Sequence, residues 1–426
     1  MINDRTYEWK RVAERIGGDD GEQIAEAIAE LYEVYDRRMV EWLASLYDDE
    51  VGGFYYSAPA RDTDGFLPDI ESTYGVLSGI ESMGMVNAYG KNFVPAMPEW
   101  LNKKVGEFIL STQDEDGYFY QKQWGKDVSL LRKSRDLGCC TYLLDRLGLT
   151  AKFPIPTVSV KKDGEGGYDL SNAPERFRSA DAFRAYLEAQ DLSKTSYFTG
   201  SELLSQFPEI KAYSELLGVN LVDEIILWLN KYKRADNGLW QEEINYHAIN
   251  GLHKLSWVYN LAGAPLPDID ACLESTVKII MSDVPTTVVV EVYNPWHVLG
   301  ELVKNAKAHN TEKYEELKSR IIALAPDMIR KSIEKIKLYK QPDGSVSYSI
   351  NGGDYTSQGS LASPRDKKGS SVNGTMCGSI SLTSSIFKAL DIDDIRVPLY
   401  TEDDLQVFVG VLNEIHEKNS KKEGKD

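Results

Sequence analysis

Four times this chain repeats one short punctuation: an acidic or polar residue, glycine, then aromatic or apolar residues, with helix-forming sequence on either side. The instances are residues 49–56 (DEVGGFYY), 114–120 (DEDGYFY), 236–240 (DNGLW) and 342–346 (PDGSV). Their glycines, Gly53, Gly117, Gly238 and Gly344, stand 64, 121 and 106 residues apart. The first interval sets a unit of about 60 residues and each of the others is close to two units, so the chain holds about six units, two of them without the turn. A unit of this kind cannot bury its apolar face alone and must pack against its neighbours.

Two kinds of helical segment surround the turns. Residues 21–45, 97–112, 179–190, 219–233, 268–282 and 312–338 are amphipathic; the first carries Ile24, Ile28, Leu31, Val34, Tyr35 and Trp42 at three- and four-residue spacing. Segments beginning near Asp69, Asp136, Ser196, Asn245, Tyr293 and Asn373 are rich in small residues and apolar nearly all round, which marks buried helices. Six outer and six inner helices in alternation predict an all-α fold, an (α/α)6 barrel of six helical hairpins, with residues 1–417 as a single domain. Residues 152–178, with Pro, Gly and a short β-like run, read as an inserted loop or hairpin. Residues 351–372 form a polar loop directly before the last inner helix, where a lid is expected. The Lys-rich residues 418–426 read as a disordered tail.

Charge narrows the partners. Against 48 basic residues stand 66 acidic ones, a net charge of −18. Such a surface repels phosphate backbones and anionic membranes, so no nucleic acid and no membrane is expected as a partner. No run approaches 18 apolar residues and the first seven residues lack a signal-peptide core. The four cysteines, Cys139, Cys140, Cys272 and Cys377, read as reduced and buried. Together these point to a cytoplasmic protein.

The segment from Asp48/Asp49 to Tyr55 resembles the turn before an inner helix in six-hairpin glycosidases, unsaturated-uronyl hydrolases and sugar 2-epimerases. Residues 104–119 resemble the Gln-to-Gly-aromatic repeat of terpenoid cyclases and prenyltransferase β subunits, with Phe119 where those have Trp. Both are branches of the α/α toroids, and both patterns span most of the chain. The cyclase acid motif occurs as residues 391–394 (DIDD), but it follows the last inner helix and reads as a solvated turn.

In an α/α barrel the leading ends of the inner helices share one mouth, where unpaired N–H groups and helix dipoles favour carboxylates. Residues 60–73 supply Arg61, Asp62 and Asp69 there, Asp69 serving either as a helix cap or as a catalytic acid. Asp136, 67 residues later, opens the next inner helix in the same way, with Trp124 and Arg135 nearby. Two carboxylates on adjacent hairpins are what glycoside hydrolysis needs, and the resemblance to unsaturated-uronyl hydrolases implies the same pair. Glu71, two residues from Asp69, does not share its direction. Glu243 and His247, four apart, can share a helix face beside Trp240 and Tyr246. The resemblance to sugar epimerases implies proton transfer by His247 and His297. Tyr293 and Trp296 can stack on sugar rings, and Asp354, Tyr355 and Arg365 belong to the lid. No cofactor and no metal are expected. The reading is a glycoside hydrolase acting on an oligosaccharide or unsaturated uronide. The alternatives are a cofactor-free epimerase, a terpenoid-cyclase-like protein, or a non-catalytic binding module.

Overall fold

The computed structural model describes residues 5–156 and 173–423, and helix dominates them. The protein is all-α; among the described residues sheet is confined to two small hairpins, β1 Tyr47–Asp48 with β2 Gly53–Phe54, and β3 Thr356–Ser357 with β4 Ser360–Leu361. Six helices carry most of the interior. They are α1 Ile70–Ser82, α2 Leu130–Leu147, α3 Leu192–Ser205, α4 Tyr246–Ala262, α5 Val290–His309 and α6 over residues 372–389. In space α1 packs on α2, α2 on α3, α3 on α4, α4 on α5 and α5 on the second half of α6. The first turn of α6 packs back on α1.

The amphipathic segments form helices outside these. Glu99–Thr112 lies on α2, Leu221–Tyr232 on α4, Ile269–Ile280 on α4 and α5, and Thr311–Lys337 on α5 and α6. Thr311–Lys337 also packs along Gly18–Tyr32, so late and early parts of the chain meet. Buried side chains form one continuous apolar cluster from Val12 to Leu412.

The turns carry a shared local chemistry. Asp116, Asn237 and Asp343 each accept, through Oδ1, from the N–H two residues on: Tyr118 at 3.0 Å, Leu239 at 2.9 Å and Ser345 at 3.0 Å. Glycine follows because the backbone there is left-handed, with φ of 83° at Gly117, 71° at Gly238 and 88° at Gly344. In the first turn it is Gly52, at φ 84°, that occupies this conformation, not Gly53. Space is a second constraint: a Cβ on Gly344 would stand 2.4 Å from the Met39 nitrogen, and one on Gly52 2.5 Å from the Lys104 carbonyl oxygen. The turns at Gly52, Gly238 and Gly344 are thus docking points on other helices, while Gly117 is seated against Pro154.

Some boundaries differ from expectation. α2 begins at Leu130, six residues before Asp136, because Ser129 caps it through Oγ to the Arg132 N–H at 3.1 Å. α3 likewise begins at Leu192, capped by Asp191. Both starts lie ahead of the small-residue, apolar runs that mark the rest of each helix. Among the described residues, the helices Ala58–Arg61, Thr6–Ile16, Phe207–Leu217 and Glu402–Glu423 fall outside the pattern. The last of these corrects the expected tail: helix continues through residues 418–423, with Lys418 3.8 Å from Glu414 and Lys421 3.5 Å from Glu417. Most of the expected insertion at 152–178, residues 157–172, lies outside the described residues; within the rest, Glu175–Phe177 is a 3-10 turn.

Candidate functional site

Asp69 takes an extended backbone conformation and caps α1. Its two oxygens accept from the Ser72 N–H at 2.8 Å and the Ser72 hydroxyl at 2.6 Å, and it is 1% exposed. Asp136 sits in the second turn of α2, one helical turn beyond Arg132 and on the same face. Arg132 grips it with Nε at 3.0 Å and Nη2 at 2.5 Å; both residues are buried. Through Nη1 the same guanidinium reaches Glu71 of α1 at 2.6 Å, and Arg135 donates to the other Glu71 oxygen. One turn of α2 therefore holds the first turn of α1 through charged contacts.

Three carboxylates share two guanidinium groups here, which leaves one negative charge in excess. Burial pushes Asp69 up to about 6 against the hydrogen bonds from Ser72, with the charge of Glu71 adding to the rise. Burial also raises Asp136, outweighing Arg132, and the charges of Asp69 and Glu71 add to it. Glu71 goes the other way: burial would raise it, but Arg135, Arg132 and the Ser357 hydroxyl hold it down to about 2.

The expected lid loop closes over this cluster. β3 and β4 pair antiparallel, Ser357 opposite Ser360, around Gln358 (φ 49°) and Gly359 (φ 86°). Positive φ at both central residues matches the twist of the flanking strands. Ser357 Oγ donates to Glu71 at 2.6 Å, and the Trp124 indole N–H donates to the Leu361 carbonyl at 2.8 Å. The Arg132 guanidinium lies 5.5 Å from the Trp124 ring centre. At the root of the hairpin, the buried Tyr56 hydroxyl donates to Asp354. Burial raises Asp354 above the usual carboxylate range against that bond, and Glu71 contributes to the rise.

Arg135 marks the centre of the arrangement. Its side chain is 44% exposed, yet its charge acts on Tyr74, Cys139, Tyr197, Lys254, Tyr293 and Cys377. One of these comes from each of α1 to α6. Arg135 is thus a partly exposed cation within electrostatic reach of side chains from all six helices. Cys377 opens a π turn, Cys377–Ser381, whose Gly378 carbonyl accepts from the Tyr35 hydroxyl at 2.6 Å. Burial raises the Cys377 thiol to about 12, so it carries its proton.

The other expected site residues scatter. Trp296 is fully buried and donates to Ser332 Oγ at 2.8 Å, on an outer helix; Trp240 is 4% exposed and donates to the Leu229 carbonyl at 3.0 Å. Tyr246 is buried, with its hydroxyl on the Val284 carbonyl at 3.0 Å. Trp240 also edges a depression of about 380 Å³ lined by Glu188, Asp191 and Tyr232. Glu243 precedes the cap of α4, Asn245, so helical spacing does not bring it onto the face of His247; both are exposed. His247 contacts the Lys194 carbonyl at 3.0 Å. His297 pairs instead with His253, ring centres 4.4 Å apart, and lies 5.7 Å from Trp257. Burial lowers His297 to about 3 and His253 well below its usual value, so both rings are neutral. Arg61 is chelated by Asp62 at 2.7 and 2.9 Å and donates to the Ser45 carbonyl. Tyr355 is half-buried in the hairpin, its carbonyl taking the Ala362 N–H at 2.8 Å. Asp391 of the DIDD segment is bound by Lys307 at 2.8 Å and Tyr314 at 2.6 Å, a structural role.

Sequence reasoning missed Lys254, set Glu71 aside, and offered Arg132 only as an ion-pair partner of Asp136, which it is. The four-residue step from Arg132 to Asp136, and the seven-residue step from His247 to Lys254, were the available signals.

No family model matches the chain, and no curated protein matches it. A crystal structure of a protein from Actinoplanes is similar over 86% of this chain and 99% of its own, at 14% identity and a TM-score of 0.35. A likeness at that level carries no argument. Among the described residues, no helix is long and apolar enough to cross a membrane.

Proposed function

We propose that the six interior helices close into an (α/α)6 barrel around Arg135, and that the protein is a cytoplasmic glycoside hydrolase acting on an oligosaccharide or unsaturated uronide. Closure is supported by α6 packing back on α1, by Thr311–Lys337 lying along Gly18–Tyr32, and by the Gly344 turn seated against Met39. Four free, buried cysteines are in keeping with a reducing compartment.

One observation carries the activity: two carboxyl groups within electrostatic reach of each other are pushed in opposite directions. Glu71 is held ionised by Arg135 and Arg132, and Asp354 is driven toward its protonated form by burial. Glycoside hydrolysis uses such a pair, one carboxyl group protonating the leaving oxygen and the other activating water or stabilising the sugar cation. Asp354 takes the acid role and Glu71 the carboxylate role. Arg135, whose charge acts on Tyr293, takes the role of holding sugar oxygens together with that phenol. Asp69 and Asp136, enclosed by Ser72 and Arg132, act as positioning residues that fix the first turn of α1 and the guanidinium that serves Glu71.

Assay of the purified protein on aryl glycosides and unsaturated uronyl oligosaccharides tests the reading. Turnover is expected, falling about 10²–10⁴-fold in Glu71→Gln and Asp354→Asn with unchanged circular dichroism. Absence of turnover on every glycoside, or full activity in both variants, contradicts it.

A further inference from the structure

Amines inside a protein spend their N–H donors. Lys335, 7% exposed, gives its own to the Ile279 carbonyl at 3.1 Å and the Ile280 carbonyl at 2.6 Å. Lys233 does the same with the Pro267 carbonyl at 2.9 Å. Lys254, in the third turn of α4, is different: among the described residues its amine has no hydrogen bond and no ion pair. It is half-buried between two aromatic rings, 5.6 Å from the centre of Tyr197 and 5.7 Å from that of Trp257.

The groups facing it supply no counter-charge. Arg135 from α2 is a second cation, the Cys377 thiol from α6 is neutral, and His253 and His297 are neutral rings. Arg135 itself spends only Nε, on Glu71, and its terminal nitrogens make no other hydrogen bond among the described residues. Two cations within electrostatic reach of each other thus have donors to spare. Burial first, and then the charge of Arg135, lower the Lys254 amine to about 8. Desolvation beside another cation is how a lysine becomes a nucleophile.

We propose that Lys254 is a nucleophilic amine that forms an imine with a small carbonyl compound bearing a carboxylate, an α-oxo acid, whose carboxylate Arg135 receives. The free amine donates its lone pair to the carbonyl carbon, forming a C–N bond while the carbonyl oxygen takes up a proton. The resulting carbinolamine expels that oxygen as water as nitrogen loses its remaining proton, so nothing is oxidised or reduced. The phenol of Tyr197, beside the amine, is placed to pass the proton. This chemistry does not depend on hydrolase activity.

The test is reductive trapping of the full-length protein at pH 7 with glyoxylate and cyanoborohydride, followed by peptide mass mapping. An amine lowered to about 8 from the usual 10.5 leaves about 300-fold more free base on Lys254 than on an ordinary lysine. Lys254 is expected to be modified at least about tenfold more than the exposed Lys10 and Lys103. It is also expected to prefer glyoxylate to the uncharged glycolaldehyde, and to lose that preference in Arg135→Met. Labelling of Lys254 no greater than that of Lys10 and Lys103 overturns the nucleophile. Equal labelling of the wild-type protein by the two aldehydes overturns the carboxylate site.

Discussion

Replacing Arg132 with Met should expose how much the charged cluster is worth. The guanidinium is 0% exposed and makes four contacts: two to Asp136, one to Glu71 and one to Ser357. Its loss leaves Asp136, 2% exposed, without a partner and Glu71 with Arg135 and Ser357 alone. Breaking a buried ion pair from one side costs about 3–5 kcal/mol. The shift of Glu71 from 4.5 to about 2 is worth on the order of 3 kcal/mol in all, of which Arg132 supplies a part, so most of the expected cost comes from the stranded Asp136. The sign of the pH dependence is fixed. A carboxylate whose folded pKa is depressed contributes stability present above its unfolded value and lost as pH falls through the folded one. Without Arg132 both carboxyl groups rise, so the deficit should be largest near pH 8 and fall by at least half by pH 5, where they can take up protons. Urea unfolding followed by tryptophan fluorescence reads this directly. Adding Asp136→Leu, which removes the stranded charge, should restore at least half of the loss at pH 8. A deficit below about 1 kcal/mol, or one equal at pH 5 and pH 8, would refute the reasoning.

Other perturbations probe separate parts of the structure. Asp69 is raised to about 6, so its ionisation opposes folding as pH rises through that value; Asp69→Asn, which still caps α1, should gain about 1–3 kcal/mol over wild type at pH 8 and little at pH 4, read by urea unfolding. Gly344→Ala meets a left-handed backbone and the Met39 nitrogen, and should cost at least about 2 kcal/mol, against about 1 for Gly263→Ala, where the space is open. Trp124→Ala removes the indole bond to Leu361 and the ring beside Arg132; limited proteolysis should then cut near Gln358–Gly359 several times faster, with cutting elsewhere unchanged.

The sequence made the helical periodicity and the turns legible, for identifiable reasons. An Asx residue followed by a left-handed glycine is a local signal, and Asp116, Asn237 and Asp343 act through their own neighbours. Asp69 as a cap and Asp136 as a partner of Arg132 were also readable, because both interactions fall within four residues. The cluster around Arg135 was not. Glu71 looked misdirected beside Asp69, and only the packing of α2 on α1 brings Arg132 and Arg135 to it. Trp240 and Trp296 look like sugar platforms in a linear reading, yet each indole is turned to an outer helix. Lys254 follows in helical register from His247, but no pattern along the chain shows that nothing pairs with its amine. Interactions across helices decide those positions, and they leave no periodic trace.

A ligand-bound crystal structure tests the central claim most directly. An unreacted oligosaccharide held by the Asp354→Asn variant should lie against Arg135 and Tyr293, with Glu71 and residue 354 both within hydrogen-bond distance of one glycosidic linkage. Sugar density along the depression beside Trp240, with the space around Arg135 empty, would contradict the account.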